Sequence, residues 1–259
     1  MKEIFYAGVY WPGRKESAEE CARRAETLFG LLSRCDPIYA CWFEQADSLK
    51  KALQLQFEPT FETFLRFFRS RKYNEGSFGF SFSAWTGHKE DGHGGVVSLG
   101  CGSAVVPPPN SCLLDLPHSG PEEQRVLTAA VLTEVLRAMV LAWEPDWGGV
   151  ISHAYQDMRD EPAGHPRTGW LMYFSRRRGE VPPLPAPVCV EPVQDKGTLV
   201  LLTPERFTVD NPAHLALADQ VRTLLDQAGL LGVMPCPTSV GVDHNGGPLG
   251  PGAGIKGSP

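Results

Sequence analysis

The stretch from Pro121 to Ser152, PEEQRVLTAAVLTEVLRAMVLAWEPDWGGVIS, leaves a folding chain the fewest choices. Pro121 suits the first turn of a helix, where its missing N–H has no partner to lose, and Glu122 and Glu123 favour the positive end of the helix dipole. From Val126 to Trp143 the apolar residues Leu127, Val131, Leu132, Val135, Leu136, Met139, Val140 and Trp143 cover more than one helical face. A helix apolar on most of its circumference is packed on several sides, whereas a surface helix carries one stripe. The spacing predicts one central helix over 121–143, buried in the core. Arg125, Glu134 and Arg137 fall within the roughly 20 apolar residues a membrane span needs, so it does not read as one. Trp143-Glu144-Pro145-Asp146-Trp147 ends it, Gly148-Gly149 is expected to turn the chain, and Val150-Ile151-Ser152 to form the next strand.

Around this element the chain alternates between the two periods. Residues 4–11, rich in aromatic and β-branched groups and stopped by Pro12-Gly13, predict a strand. Ser17 and Glu20 make a capping box for a helix whose Ala18, Cys21, Ala22, Ala25, Leu28, Phe29 and Leu32 form one stripe. Asp36-Pro37 restarts a short helix, and Asp47 and Thr60 are expected to open two more. Phe61, Phe64, Leu65, Phe67 and Phe68 precede the basic run 69–72. This reads as a core helix with a solvated end, the sharper alternative being a nucleic-acid surface. Phe78, Phe80 and Phe82 alternate with Ser77, Ser81 and Ser83, the pattern of a half-buried antiparallel strand. Residues 96–102 return as its partner, making 86–95 a hairpin loop, and 111–116 form a further strand.

Beyond Ser152, strands are expected at 169–175, 188–192 and 198–203. Asp210-Asn211-Pro212 then opens a helix striped by Leu215, Ala218, Val221, Leu224 and Leu225 and stopped at Gly229. The fold class is α+β: antiparallel or mixed sheet covered by helices, in a compact domain over 1–232. Strands followed by a covering helix recur in 1–152 and 153–232, so a distant duplication of two halves is one reading. Residues 233–259, rich in Gly and Pro, hold too few large apolar groups to offset ordering entropy and are expected to be a mobile tail.

A net charge of −6 and a pI near 5.7 argue against direct nucleic-acid binding and permit a basic partner. Seven cysteines without a C-x-x-C pair read as buried thiols in a reducing compartment, and the N-terminus lacks a signal-peptide core, so the cytoplasm is expected. No membrane partner and no cofactor are expected.

Chemistry-bearing candidates are few. The glycine run with Lys256 misses P-loop spacing, because Gly257 stands where Ser or Thr is needed. His88, Asp91 and His93 share a loop but bring no second ligand pair at zinc spacing, and Cys101 lies in a predicted strand without a nucleophile elbow. No catalytic or metal-ligating residue is assigned. His153, Tyr155, Asp157, Asp160 and Glu161 cluster after the strand that leaves the central helix. They read either as an enzyme site near His153 and Asp157 or as an acidic, aromatic protein contact.

The segments Tyr10-Trp11-Pro12-Gly13-Arg14-Lys15-Glu16-Ser17-Ala18-Glu19-Glu20-Cys21-Ala22, Ser98 to Ser103, Asn110-Ser111-Cys112, Ala142 to Gly148 and Gly169-Trp170-Leu171 resemble the immunity protein 52 family, over about residues 4–228. Pro12-Gly13 departs from the Gly-Pro expected there. The resemblance implies a cytoplasmic bacterial protein that neutralises a co-encoded polymorphic toxin of the restriction-endonuclease-like class by binding it, with no catalytic residues. On that reading the expected contact is Tyr155, Asp157, Asp160 and Glu161, with Glu144 and Asp146, unless these last two only cap the turn after the helix. An enzyme, or a regulatory protein that binds another partner, is the alternative.

Overall fold

Phe5, Ala7, Val9 and Trp11 of strand β1 (Phe5–Trp11) are all buried and point to one face, which is what alternation in a strand rich in large apolar groups dictates. In the computed structural model, which describes residues 3–105, 110–159, 161–162 and 164–233, this strand lies inside an antiparallel sheet that contains ten strands among the described residues. β2 is Trp42–Glu44, β3 Gln56–Phe57, β4 Phe80–Trp85, β5 Val96–Cys101 and β6 Asn110–Asp115. β7 is Trp147–Ser152, β8 Leu171–Ser175, β9 Cys189–Val193 and β10 Gly197–Leu201. Their order is β3-β2-β4-β5-β6-β1-β7-β8-β10-β9, so segments from Phe5 to Leu201 form one continuous sheet.

Helix α1 (Ala18–Cys35) starts with the expected Ser17–Glu20 capping box and buries Cys21, Ala22, Ala25, Leu28, Phe29 and Leu32. A 3-10 turn over 37–40 follows, with Asp36 capping Ile38 and taking Arg125 at 2.6 Å. α2 (Leu49–Ala52) is capped by Ser48, one residue later than expected, because its hydroxyl accepts from Lys51 N. α3 (Phe61–Arg69) buries Phe64, Phe67 and Phe68 among Phe29, Phe57 and Phe82, so the phenylalanine run is core and its arginines are exposed.

The central helix is two helices. α4 (Gly120–Val126) and α5 (Ala129–Trp143) meet at a 78° bend, because Thr128 leaves the helical conformation and its hydroxyl accepts from Val131 N as a new N-cap. α5 is the core element: Leu132, Val135, Leu136, Met139 and Val140 are fully buried, and Trp143 stacks on Trp11 of β1 at 5.1 Å. Among the described residues no single helix is long and apolar enough to cross a membrane. The turn after α5 is also not where it was expected. Glu144 takes it in the left-handed region (φ 48°), and Gly148 and Gly149 lie inside β7. They are glycines because a Cβ on Gly148 would meet Val9 Cγ1 at 2.6 Å and one on Gly149 the Leu171 carbonyl at 2.8 Å.

α6 (His153–Asp157) is a short helix, absent from the sequence expectation, capped by Ser152 at the end of β7. α7 (Pro212–Gln227) starts with Asn211 and Pro212 as expected and adds Ala218, Val221 and Leu225 to the core. The tail from Met234 lies outside the described residues.

Candidate functional site

Pairing across six strands sets Phe43, Trp85, Val96, Asp115, Tyr6 and Ile151 side by side in one row, on the face opposite the α1–α5 layer. Two residues along each strand, the next row holds Ser83, Ser98, Leu113, Gly8 and Gly149. The face is not uniform. Toward β8 it is buried, with Ile151, Met172, Phe174 and Val200 at 2% exposure or less. Over β4, β5 and β6 it is half-open, and Ser83 faces Ser98 across 3.4 Å.

At the end of the aromatic row the sheet forms the floor of a cleft of about 600 Å³, with Trp85, Val96 and Asp115 below and His88, Lys89, Glu90, Asp91, His118 and His153 around it. The 86–95 loop is tied down: Thr86 Oγ1 accepts from Gly95 N at 2.9 Å and meets His88 Nδ1 at 3.1 Å, and Gly92 O accepts from His118 N at 2.7 Å. His93 is held elsewhere, 3.2 Å from Glu122, so His88 and His93 do not converge. Among the described residues no group of three or more His, Cys, Asp or Glu is placed to hold a metal ion. Burial raises the Asp115 carboxyl above the ordinary aspartate range, against the pull of His153 and His118. A carboxylate in a cleft beside two imidazoles can receive a cationic group or pass a proton.

A second cleft, of about 570 Å³, opens where α1 begins and α5 ends. Arg14, Arg24, Glu144, Tyr173, Arg176, Arg177, Asp195 and Lys196 are among the residues that line it. Glu16 bridges Arg14 and Arg24 at 3.1 and 2.7 Å. Glu144 sits between Arg24, at 3.2 Å, and Lys196, and these hydrogen bonds, Lys196 first, hold its carboxyl below the usual glutamate range.

The six residues expected at a partner contact therefore separate. Glu144 belongs to the cationic cleft. Asp146 is buried and paired with Arg178 at 2.7 Å, with Ser175 Oγ donating to it at 3.3 Å. The Tyr155 ring is buried against Phe207, its hydroxyl 3.3 Å from Thr168. Neither Asp146 nor Tyr155 offers its side chain to a partner. Asp157 is exposed on α6, Glu161 is half-buried 3.4 Å from Arg222, and Asp160 lies outside the described residues. His153 is exposed, its ring 5.1 Å from that of Tyr6.

Cys101 is buried, its thiol pushed well above the ordinary range by burial and then by Cys21, so no nucleophile stands there. Sequence reasoning missed Asp115 and the triplet Arg176-Arg177-Arg178. The signals were present: a charged residue closing an apolar strand, and three arginines directly after another.

The model of a family described as immunity protein 52 matches residues 3–234. No curated protein matches the chain. A solved structure of a Pseudomonas aeruginosa T6SS protein is similar in fold, with a TM-score of 0.50 and 11% identity over 86% of this chain and 76% of that one.

Proposed function

The chain belongs to the immunity protein 52 family, and from that premise we propose that it binds a cognate polymorphic toxin and neutralises it by occlusion, with no turnover of its own. The family match over 3–234 carries this reading. The finer part of the proposal is that the toxin is a nuclease of the restriction-endonuclease-like class. A nuclease presents cationic surface to phosphates, and a partner of net charge −6 is steered toward it at long range. The cleft with Asp115, Glu90 and Asp91 supplies local negative charge for a basic side chain, and Asp157 is exposed on α6, whose first residue His153 lines that cleft. The cytoplasm is the proposed site of action.

Co-expression with the toxin encoded alongside tests the reading: cells carrying both should survive induction of the toxin, and equal killing with and without this protein sinks it. Plasmid cleavage by the purified toxin, abolished by this protein at one-to-one stoichiometry, tests the nuclease class separately. Protection against a toxin that leaves DNA intact removes the class and keeps the immunity function.

A further inference from the structure

Arg176, Arg177 and Arg178 follow one another where β8 ends, and the third fixes the first two. The Arg178 side chain is 5% exposed, paired with Asp146, and its Nη1 donates to the carbonyls of Leu230 and Gly232 at 2.9 Å each. The backbone is held on both sides, Ser175 N donating to Asp146 O at 3.0 Å and Arg176 N to Lys196 O at 2.8 Å. On this pinned turn Arg176 and Arg177 are exposed, and among the described residues neither has a carboxylate in ion-pair contact.

They face a cleft that is already short of negative charge. Its five cations, Arg14, Arg24, Arg176, Arg177 and Lys196, meet Glu144, Asp195 and the bridging Glu16, which leaves a surplus of two positive charges on a protein of net −6. Arg14 is pushed below its ordinary pKa by burial, Glu16 opposing and the like charge of Arg24 adding to the effect. A crowded, partly dehydrated cation gains from an arriving anion. Two free guanidinium forks on a rigid turn match the planar geometry of carboxylates.

We propose that this cleft binds a carboxylate-bearing segment of the toxin, with Arg176 and Arg177 as its direct contacts and Arg14 and Lys196 setting the field behind them. Carboxylates fit better than a nucleic-acid backbone: the chain as a whole repels a polyanion, and a surplus of two charges suits one or two acidic side chains. The inference takes the partner's identity from the toxin-binding reading above; the cleft chemistry stands apart from it.

The test compares the full chain with the double variant Arg176→Glu, Arg177→Glu, whose exposed, unpaired side chains leave the melting temperature unchanged. Association with the toxin should weaken at least about tenfold in the variant, and a fluorescent decaglutamate peptide should bind the wild type and not the variant. If the wild type binds toxin and the variant binds it equally well, the cleft assignment is overturned and the immunity reading stands. If the wild type binds decaglutamate but no toxin, the immunity reading fails and the cleft keeps its chemistry. Binding of neither overturns both, and tighter binding of a ten-nucleotide single strand than of decaglutamate overturns the choice of carboxylate.

Discussion

The Asp146 carboxylate and the Arg178 guanidinium lie 2.7 Å apart with 3% and 5% of their side chains exposed, joining the turn after α5 to the turn after β8. A buried pair like this is costly to break from one side, because the survivor is left charged and dry. Asp146→Ala or Arg178→Ala alone should each destabilise the protein by about 3–5 kcal/mol, while Asp146→Leu with Arg178→Met should cost much less. Urea denaturation of the three variants checks this, and near-additivity of the two single losses would show that the charges do not act as a pair.

The bend between α4 and α5 makes a second prediction. Leu136 is fully buried, and Leu136→Ala should cost about 2–5 kcal/mol. Thr128 is exposed yet caps α5, and Thr128→Ala should cost about 1 kcal/mol, far more than an ordinary surface change. A loss below about 0.5 kcal/mol at Leu136 in chemical denaturation would place α5 outside the core.

Periodicity read the longer strands and the buried character of α5, because burial on one face or on all faces leaves a direct trace in the residues; it missed β2 and β3, which are too short to show alternation, and ran β4 back to Phe78, which is exposed on a 3-10 turn. It missed the break at Thr128, since a single β-branched hydroxyl residue between apolar neighbours looks like helix until its cap hydrogen bond is seen. Gly148-Gly149 read as a turn for a similar reason: a strand that must pass close to Val9 and the Leu171 carbonyl needs glycine as much as a turn does. The cationic cleft was not legible, because Arg14, Glu144 and Arg176 are far apart in the chain and only sheet and helix packing bring them together. Asp146 was read either as a contact or as part of the turn after the helix, and its burial beside Arg178 decides for the turn.

Thiol reactivity should divide the described cysteines cleanly. The expectation of buried thiols holds at Cys21, Cys101 and Cys112, where burial pushes the Cys112 thiol far up, and fails at Cys41 and Cys189, which are exposed. Cys35 is raised to about 11 by burial, with Glu134 and Asp36 adding to it. Iodoacetamide at pH 8 should label Cys41 and Cys189 quickly and reach Cys21, Cys101 and Cys112 only after denaturation, as read by peptide mass mapping. Rapid labelling of Cys101 in the native protein would contradict the packing around β5.

Asp115 should carry a stability cost at neutral pH. Its folded-state pKa is raised, so the folded chain holds this proton more readily than the unfolded one, and stability increases as pH falls through the raised value toward the ordinary 3.8. Asp115→Asn should therefore raise the melting temperature at pH 7, and the gain should fade on acidification. His118 and His153, which pull the carboxyl the other way, and Glu90 and Asp91 around the same cleft are unchanged in that comparison. A lower melting temperature at pH 7 would mean that ionised Asp115 is held by favourable contacts.

The acidic stretch that follows His153 makes the last prediction, and its carboxylates Asp157 and Glu161 should behave differently. Asp157 is exposed on α6 without an ion pair among the described residues, while Glu161 is 10% exposed and 3.4 Å from Arg222, its carboxyl raised by burial. Asp157→Lys should leave the melting temperature unchanged and slow association with the toxin several-fold at low salt, an effect that shrinks as ionic strength shortens the Debye length to about 8 Å. Glu161→Lys should instead lower the melting temperature, because it places a cation against Arg222 in a half-buried site. Stopped-flow association at two salt concentrations separates the roles. If Asp157→Lys associates at the wild-type rate while Arg176→Glu with Arg177→Glu does not, the encounter is steered by the cationic cleft at the other end of the sheet and the partner presents acid there. If both variants are slow, the toxin presents both signs of charge and spans the two clefts.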